Sequence, residues 1–288
     1  QLALPPPPPP PPSGGGRDRE AVSEMLLTAL RRTLGLEVAL RRERKRDGTR
    51  VGINSVRKRL LRLFSADGRL RWPRLFNGER LPIKLEVASG TGDWVAAQAL
   101  ADEGRAYWVA AELKHDRVSA IFSRMVMRNV TNLAVVGGDA ALFLNRRVKP
   151  RSLAHVFVNF PEPPHRSGDE DASSELHLLT ETFFRDVHAA LREGGGLTIF
   201  SDNRRYCQTL AKTVDALSAS GVIFQSLVLE HASFERIGDV RLYLGIPDRR
   251  AGHLVHEQSY FDRFWEHGHH VERCFLVLER AVPLLPDP

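Results

Sequence analysis

From Leu81 onward the chain alternates short apolar, β-branched runs with amphipathic stretches of helical length. Pro82–Ala88 has the look of a buried strand, Ser89-Gly90-Thr91-Gly92 of a small-residue turn, and Asp93–Ala101 of a helix. The pattern then repeats. A strand is expected over Ala106–Ala111, ending in Glu112, with a helix from about His115 to Arg128. A third strand over Leu133–Val136 runs into Gly137-Gly138-Asp139-Ala140, and a fourth covers 155–160. A helix from about Leu178 to Leu191 should lead through Gly194-Gly195-Gly196 to a fifth strand, Leu197–Phe200. Strands separated by helix-length segments predict parallel βαβ units and a doubly wound, mostly parallel α/β sheet.

In open sheets of this kind ligands bind beyond the carboxyl ends of the strands, so those ends carry the candidate chemistry. The fourth strand stops at Pro161, Pro163 and Pro164, with the carboxylate of Glu162 between the prolines and His165 and Arg166 after them. The first three strands end near an acid each, Glu86, Glu112 and Asp139, and Gly90 and Gly92 let the backbone approach a ligand closely. No GxxxxGK[ST] is present, and the Gly90-x-Gly92 spacing lacks the third glycine of a dinucleotide fingerprint. An acid before the turn and acids after the next two strands suit S-adenosylmethionine. That cofactor offers an ammonium, a ribose diol and an adenine amine as partners for carboxylates.

Composition narrows the class. A chain of 288 residues can bury one large core. No apolar run approaches the roughly 18 residues of a membrane helix, so a soluble, intracellular protein without membrane contact is expected. Two cysteines, Cys207 and Cys274, sit in apolar stretches and predict buried free thiols. No metal is expected, and His267, His269 and His270 are taken as a solvated turn. Residues 1–16, with the Pro5–Pro12 tract and a Ser-Gly joint, predict a linker. The chain opens on Gln1, so its natural start is expected upstream, and the compartment (nucleus, cytosol or an organelle) is left open.

Charge is uneven. Residues 1–80 carry 18 Lys and Arg against 8 Asp and Glu, whereas 81–288 carry 23 against 27. Residues 17–80 therefore read as a basic, helical extension ahead of a catalytic domain over 81–288. Arg41-Arg42-Glu43-Arg44-Lys45-Arg46, Arg57-Lys58-Arg59, Arg62, Arg69, Arg71 and Arg74 suit a phosphate-bearing partner. Leu60, Leu61, Leu63 and Phe64 would pack such a helix on the core.

The stretches LEVASGTGDW, WVAAELKHDRV, NVTNLAVVGGDA, VFVNFPEPPHR, HLLTETFFRDVHAALREGGGLTIFSDNRRY and SYFDRFW together resemble the tRNA (guanine-N7-)-methyltransferase family. The likeness runs over roughly Arg50 to Arg280. It implies a class I, Rossmann-like S-adenosylmethionine-dependent fold with seven strands. Two of these are expected near Val240–Gly245 and over Arg273–Glu279, the last one antiparallel. It also implies cofactor contacts at Glu86, Gly90, Gly92, Glu112, Asp139 and Ala140, and a catalytic acid at Glu162. Substrate contacts are implied at Arg166, Asp202 and the run Ser259, Tyr260, Phe261, Asp262, with tRNA as partner and room for an auxiliary protein subunit. The family pattern has Gly at the position of Ala88, and D-P-W-P-K followed by basic residues where this chain reads Glu162-Pro163-Pro164-His165-Arg166 and then acids. Two other readings follow from those departures. One is a methyltransferase for another RNA or an amino group; the other is an RNA-binding homologue with little catalysis.

Overall fold

A computed structural model describes residues 25–26, 28–34, 61–76, 78, 80–164, 177–255 and 272–281. Its frame is one sheet flanked by helices. Strands β1 (Thr33–Leu34), β2 (Ile83–Val87), β3 (Tyr107–Glu112), β4 (Leu133–Gly137), β5 (Leu153–Asn159) and β6 (Leu191–Ser201) come first along the chain. They are followed by β7 (Phe224–Ser226), β8 (Phe234–Ile237), β9 (Val240–Leu244) and β10 (Cys274–Arg280). Their spatial order is β1-β4-β3-β2-β5-β6-β10-β9-β8, with β7 also on β10. All pairs from β1 to β6 are parallel. β10 runs antiparallel to β6, β7 and β9. The seven strands expected from sequence are all present, and the short strands β1, β7 and β8 extend the sheet to ten.

The helices are α1 (Trp72–Phe76), α2 (Asp93–Ala101), α3 (His115–Met127), α4 (Ala140–Arg147), α5 (Glu181–Ala190) and α6 (Arg204–Leu217). Strand residues alternate between the two faces, so each face has its own core. Leu85, Val87, Val109, Val156, Val158, Leu197 and Ile199 pack with Phe143, Phe183, Phe184 and Leu210 of α4, α5 and α6. On the other face Trp108, Ala110, Val135 and Phe157 meet Trp94, Val95, Val118, Ile121 and Met125 of α2 and α3. Full burial of each large side chain contributes about 1.5–3 kcal/mol, so these two layers fix which strand ends stand side by side.

Residues ahead of Leu81 belong to the same core. β1 pairs with β4, and Leu70, Trp72, Leu75 and Phe76 are buried. Leu63 and Phe64 pack against that core as expected, but Leu61 is exposed. Arg69 is also engaged with protein, donating to the backbone oxygen of Val148 at 2.6 Å beyond the end of α4. Residues 1–24 and 35–60, which hold the proline tract and most of the basic run, lie outside the described residues.

The largest departure from the expected boundaries is at β6, which begins at Leu191, so Gly194, Gly195 and Gly196 lie inside a strand instead of ahead of it. Leu191 pairs with Leu153, and after a shift in register Gly196 pairs with His155, where a Cβ would stand 2.4 Å from the imidazole ring, so the close approach calls for glycine. That ring stacks on Phe157 with centroids 4.0 Å apart, and its Nε2 lies 2.8 Å from Thr198 Oγ1. Because the Thr198 hydroxyl donates to the backbone oxygen of Ala251, it accepts from His155, which makes the ring a neutral Nε2–H tautomer. Burial, with Lys84 and His253 nearby, pushes its pKa down to about 3. Cys207 and Cys274 are buried free thiols, as expected.

Candidate functional site

The carboxyl ends of β2, β3, β4 and β5 carry Glu86, Glu112, Asp139 and Glu162, and the first two are locked in place. Glu112 is 3% exposed and accepts two backbone hydrogen bonds, from Gly90 N at 2.8 Å and Lys114 N at 3.0 Å. It thereby ties the Gly90 turn to the end of β3. Gly90 has φ 57°, and no atom lies within 4 Å of the place a Cβ would take, so the turn borders open space. Gly92 has φ 79° and a different task. A Cβ there would come within 2.7 Å of Ile121, so glycine lets α2 start against α3.

Glu86 is also 3% exposed. Its Oε1 accepts from Asn159 Nδ2 at 2.8 Å, across the β2–β5 pair. Oε2 is buried and has no hydrogen-bond partner among the described residues, and the same holds for Asn159 Oδ1. Desolvation raises the Glu86 pKa to about 7; the Asn159 bond opposes the rise, while the carboxylates of Glu112 and Asp93 add to it. Asp93, in the first turn of α2, is held by Arg124 at 2.9 Å and by the Thr91 hydroxyl at 2.6 Å. A buried carboxyl with an empty acceptor beside an open glycine turn fits a ligand that brings a hydrogen-bonding cation.

The remaining candidates are looser. Asp139 is exposed and caps α4, its Oδ1 accepting from Leu142 N at 2.8 Å, and Ala140 opens that helix half-buried. Glu162 is exposed in the proline loop, while Phe160 before it is buried against Phe200. Asp202 is half-buried at the end of β6, one residue ahead of Asn203, which caps α6 by accepting from Tyr206 N at 3.0 Å. Neighbouring parallel strands therefore bring Glu86, Glu112, Asp139, Glu162 and Asp202 to one edge of the sheet.

A family model described as "Putative methyltransferase" matches residues 80–232, just over half of the chain. The chain belongs to this methyltransferase family. Among its relatives are proteins named tRNA (guanine-N(7)-)-methyltransferase. The one from Chlamydia muridarum is 37% identical over 139 residues, covering 47% of this chain and 58% of that protein. The one from Thermus thermophilus is 32% identical over 142 residues, covering 47% and 43%. The match thus spans about half the length of these curated relatives. The crystal structure of the 16S rRNA methyltransferase KamB aligns with a TM-score of 0.47 at 12% identity, covering 69% of this chain and 88% of that one.

Within the methyltransferase family pattern, the alanine at position 88 has a structural meaning. Ala88 has φ 57° immediately after β2, a left-handed conformation that favours the usual glycine. Phe160, after β5, has φ 50°. Arg166 and Ser259, Tyr260, Phe261 and Asp262 lie outside the described residues, as do His165, His267, His269 and His270. The chain leading toward Ser259 is anchored on α2, where buried Gln98 accepts from Leu254 N and donates to the Val255 oxygen, both at 2.7 Å. Among the described residues no group of His, Cys, Asp or Glu could hold a metal, and no helix is long and apolar enough to cross a membrane.

Sequence reasoning missed Asn159 and Asp93. The signal for Asn159 was its place, a polar residue ending an otherwise apolar strand just ahead of the proline loop. A cavity of about 370 Å³ opens at the opposite, amino-terminal end of the strands, lined by Lys84, Asp102, Arg105, His155, Arg192 and Arg250 among others. We place the chemistry at the carboxyl edge nonetheless, because Glu86 Oε2 and Asn159 Oδ1, two orphaned buried acceptors joined in one bonded pair, are there, whereas Asn132 Oδ1 at the amino end of β4 stands alone. In the cavity, Asp102 is already occupied by Lys84 at 2.7 Å and by Trp108 Nε1 at 3.1 Å.

Proposed function

We propose that this protein methylates N7 of a guanine in tRNA with S-adenosylmethionine as methyl donor. One observation carries the reading: buried Glu86 with its empty acceptor beside the open Gly90 turn, in a chain whose relatives bear the tRNA (guanine-N(7)-)-methyltransferase name. In this reading Glu86 receives the donor's ammonium. Glu112 keeps the Gly90 turn in register and offers its remaining lone pairs to ribose hydroxyls. Asp139 and Ala140 border the adenine at the start of α4.

When bound, the cofactor supplies an electrophilic methyl group on its sulfonium. Guanine N7 has an in-plane lone pair and carries no proton, so the protein needs no strong base. Its tasks are to align the ring and to offset the positive charge that develops on the purine. In this reading Glu162 and Asp202, at the ends of adjacent strands, accept hydrogen bonds from guanine N1–H and the exocyclic amine. Arg166, the stretch from Ser259 to Asp262 and the arginines of residues 41–62 would hold tRNA, the arginines through phosphates that position it without reading bases.

The test is methyl transfer from labelled S-adenosylmethionine to bulk tRNA, to total protein and to an RNA lacking tRNA, followed by nucleoside mass spectrometry. N7-methylguanosine in tRNA supports the proposal. Label in protein or another RNA would replace the substrate, and cofactor binding without transfer would turn the reading toward an RNA-binding homologue. Activity of the isolated chain would dispense with an auxiliary subunit.

A further inference from the structure

Glu86 Oε2 and Asn159 Oδ1 are both buried acceptors without a donor among the described residues, and they belong to one bonded pair. Each such atom is costly in the folded chain unless something donates to it. The pair spans β2 and β5, so it ties the strand before the glycine turn to the strand that ends in the Glu162 loop. A carboxylate can only accept, which orients the carboxamide: its NH2 faces Glu86 and its oxygen is left over. Two leftover acceptors held by one bond match a single group with several N–H donors, a primary ammonium.

We propose that Asn159 is a positioning residue of the cofactor edge, holding Glu86 in place and adding its own carbonyl oxygen as a second acceptor for the ligand's ammonium. The inference rests on the methyl-donor reading above. The groups facing Glu86 are Asn159 from β5, Glu112 from β3 and Asp93 from α2, with Arg124 of α3 on the far side of Asp93. Asn159 donates a side-chain hydrogen bond to the Glu86 carboxyl and so favours the ionised form an ammonium requires; the Ser89 hydroxyl, which donates to the Glu86 backbone oxygen at 3.1 Å, acts in the same direction and more weakly.

The test is calorimetry on the full chain between pH 5.5 and 8.5 with two ligands. S-adenosylhomocysteine keeps the amino-acid group; methylthioadenosine lacks it and keeps the nucleoside. In the wild type, affinity for S-adenosylhomocysteine rises with pH through about 7 as Glu86 ionises, and levels above it. Asn159→Ala is expected to weaken S-adenosylhomocysteine about tenfold or more, to leave methylthioadenosine within about twofold, and to move the rise to higher pH. Asn159→Asp keeps the acceptor oxygen but loses the donor, so it should lose less affinity than the alanine variant while moving the pH rise upward. Equal loss of both ligands would mean a merely structural residue and overturn the proposal, as would unchanged binding of both with an unchanged pH profile. A folded wild type that binds neither ligand would overturn the methyl-donor reading, and this inference with it.

Discussion

Two stretches of the same sheet edge hold their acids in opposite ways. At the ends of β2 and β3, Glu86 and Glu112 are 3% exposed and fastened to Asn159, Gly90 and Lys114. At the end of β5, Glu162 stands exposed among prolines. The buried pair is part of the folded structure, so any change there acts on folding and on ligand together. The exposed acid has little buried surface to lose, so it can be exchanged with little effect on the fold. The loop after β5 is also where the resemblance drawn from the sequence is least close, since it reads Glu162-Pro163-Pro164-His165-Arg166 and continues with acids.

The sharpest probe of the contrast is Glu162→Gln. Turnover is expected to fall by about 10²-fold or more, the range for one preorganised electrostatic group, while the melting temperature stays put because the side chain is exposed. Single-turnover rates matching the wild type would move the catalytic role to Asp202.

Next in size is the pH dependence of the buried acid. The Glu86 pKa rises from 4.5 in the unfolded chain to about 7 when folded. The folded state therefore binds the extra proton between those values, and stability is full below pH 4.5 and falls as pH rises through 7. The loss is on the order of 3 kcal/mol. His155 runs the other way: with its pKa pushed down to about 3, it favours the folded state above its ordinary 6.5 and loses that contribution as pH falls. The two overlap, so the measurement is the difference between wild type and Glu86→Gln in urea unfolding from pH 5 to 8. A constant difference across that range would mean that Glu86 is already ionised.

Glu112→Ala should weaken S-adenosylhomocysteine by about 1.5–3 kcal/mol and also lower the melting temperature, since Gly90 N–H and Lys114 N–H lose their acceptor. Loss of affinity at unchanged stability would detach the acid from the turn. The smallest effect belongs to Ala88→Gly. Relief of a left-handed alanine is worth about 1–2 kcal/mol, less roughly 0.4–1 for the freer unfolded chain, so a net gain between zero and about 1.6 kcal/mol is expected in thermal unfolding. A destabilised glycine variant would show that Ala88 is at ease where it stands.

Most of the frame was legible because it rests on local periodicity. The helix over Asp93–Ala101 has the bounds its pattern predicts, and the strands that end in Glu86 and Glu112 were found as strands ending in acids. What escaped depends on partners far along the chain. β1 and β7 have two and three residues, too few to show a pattern. The early start of β6 depends on the pairing of Leu191 with Leu153, and the glycine at 196 on the His155 ring beside it. Asn159 reaches Glu86 across 73 positions, and Arg69, read from sequence as a phosphate-binding arginine, reaches Val148 across 79, so no local pattern marks either contact.

The place of β10 in the sheet bears on how this protein is made. β7, β8 and β9 join the parallel strands only through residues 274–280, which follow all of them in the chain. During synthesis the cofactor edge, built from β2 to β5, can assemble while β6 still presents an unpaired border carrying Leu197 and Ile199. Such a border is an invitation to pair with a foreign strand. A nascent chain stalled before Cys274 would thus hold nearly every residue of the site and still be the form most prone to aggregate.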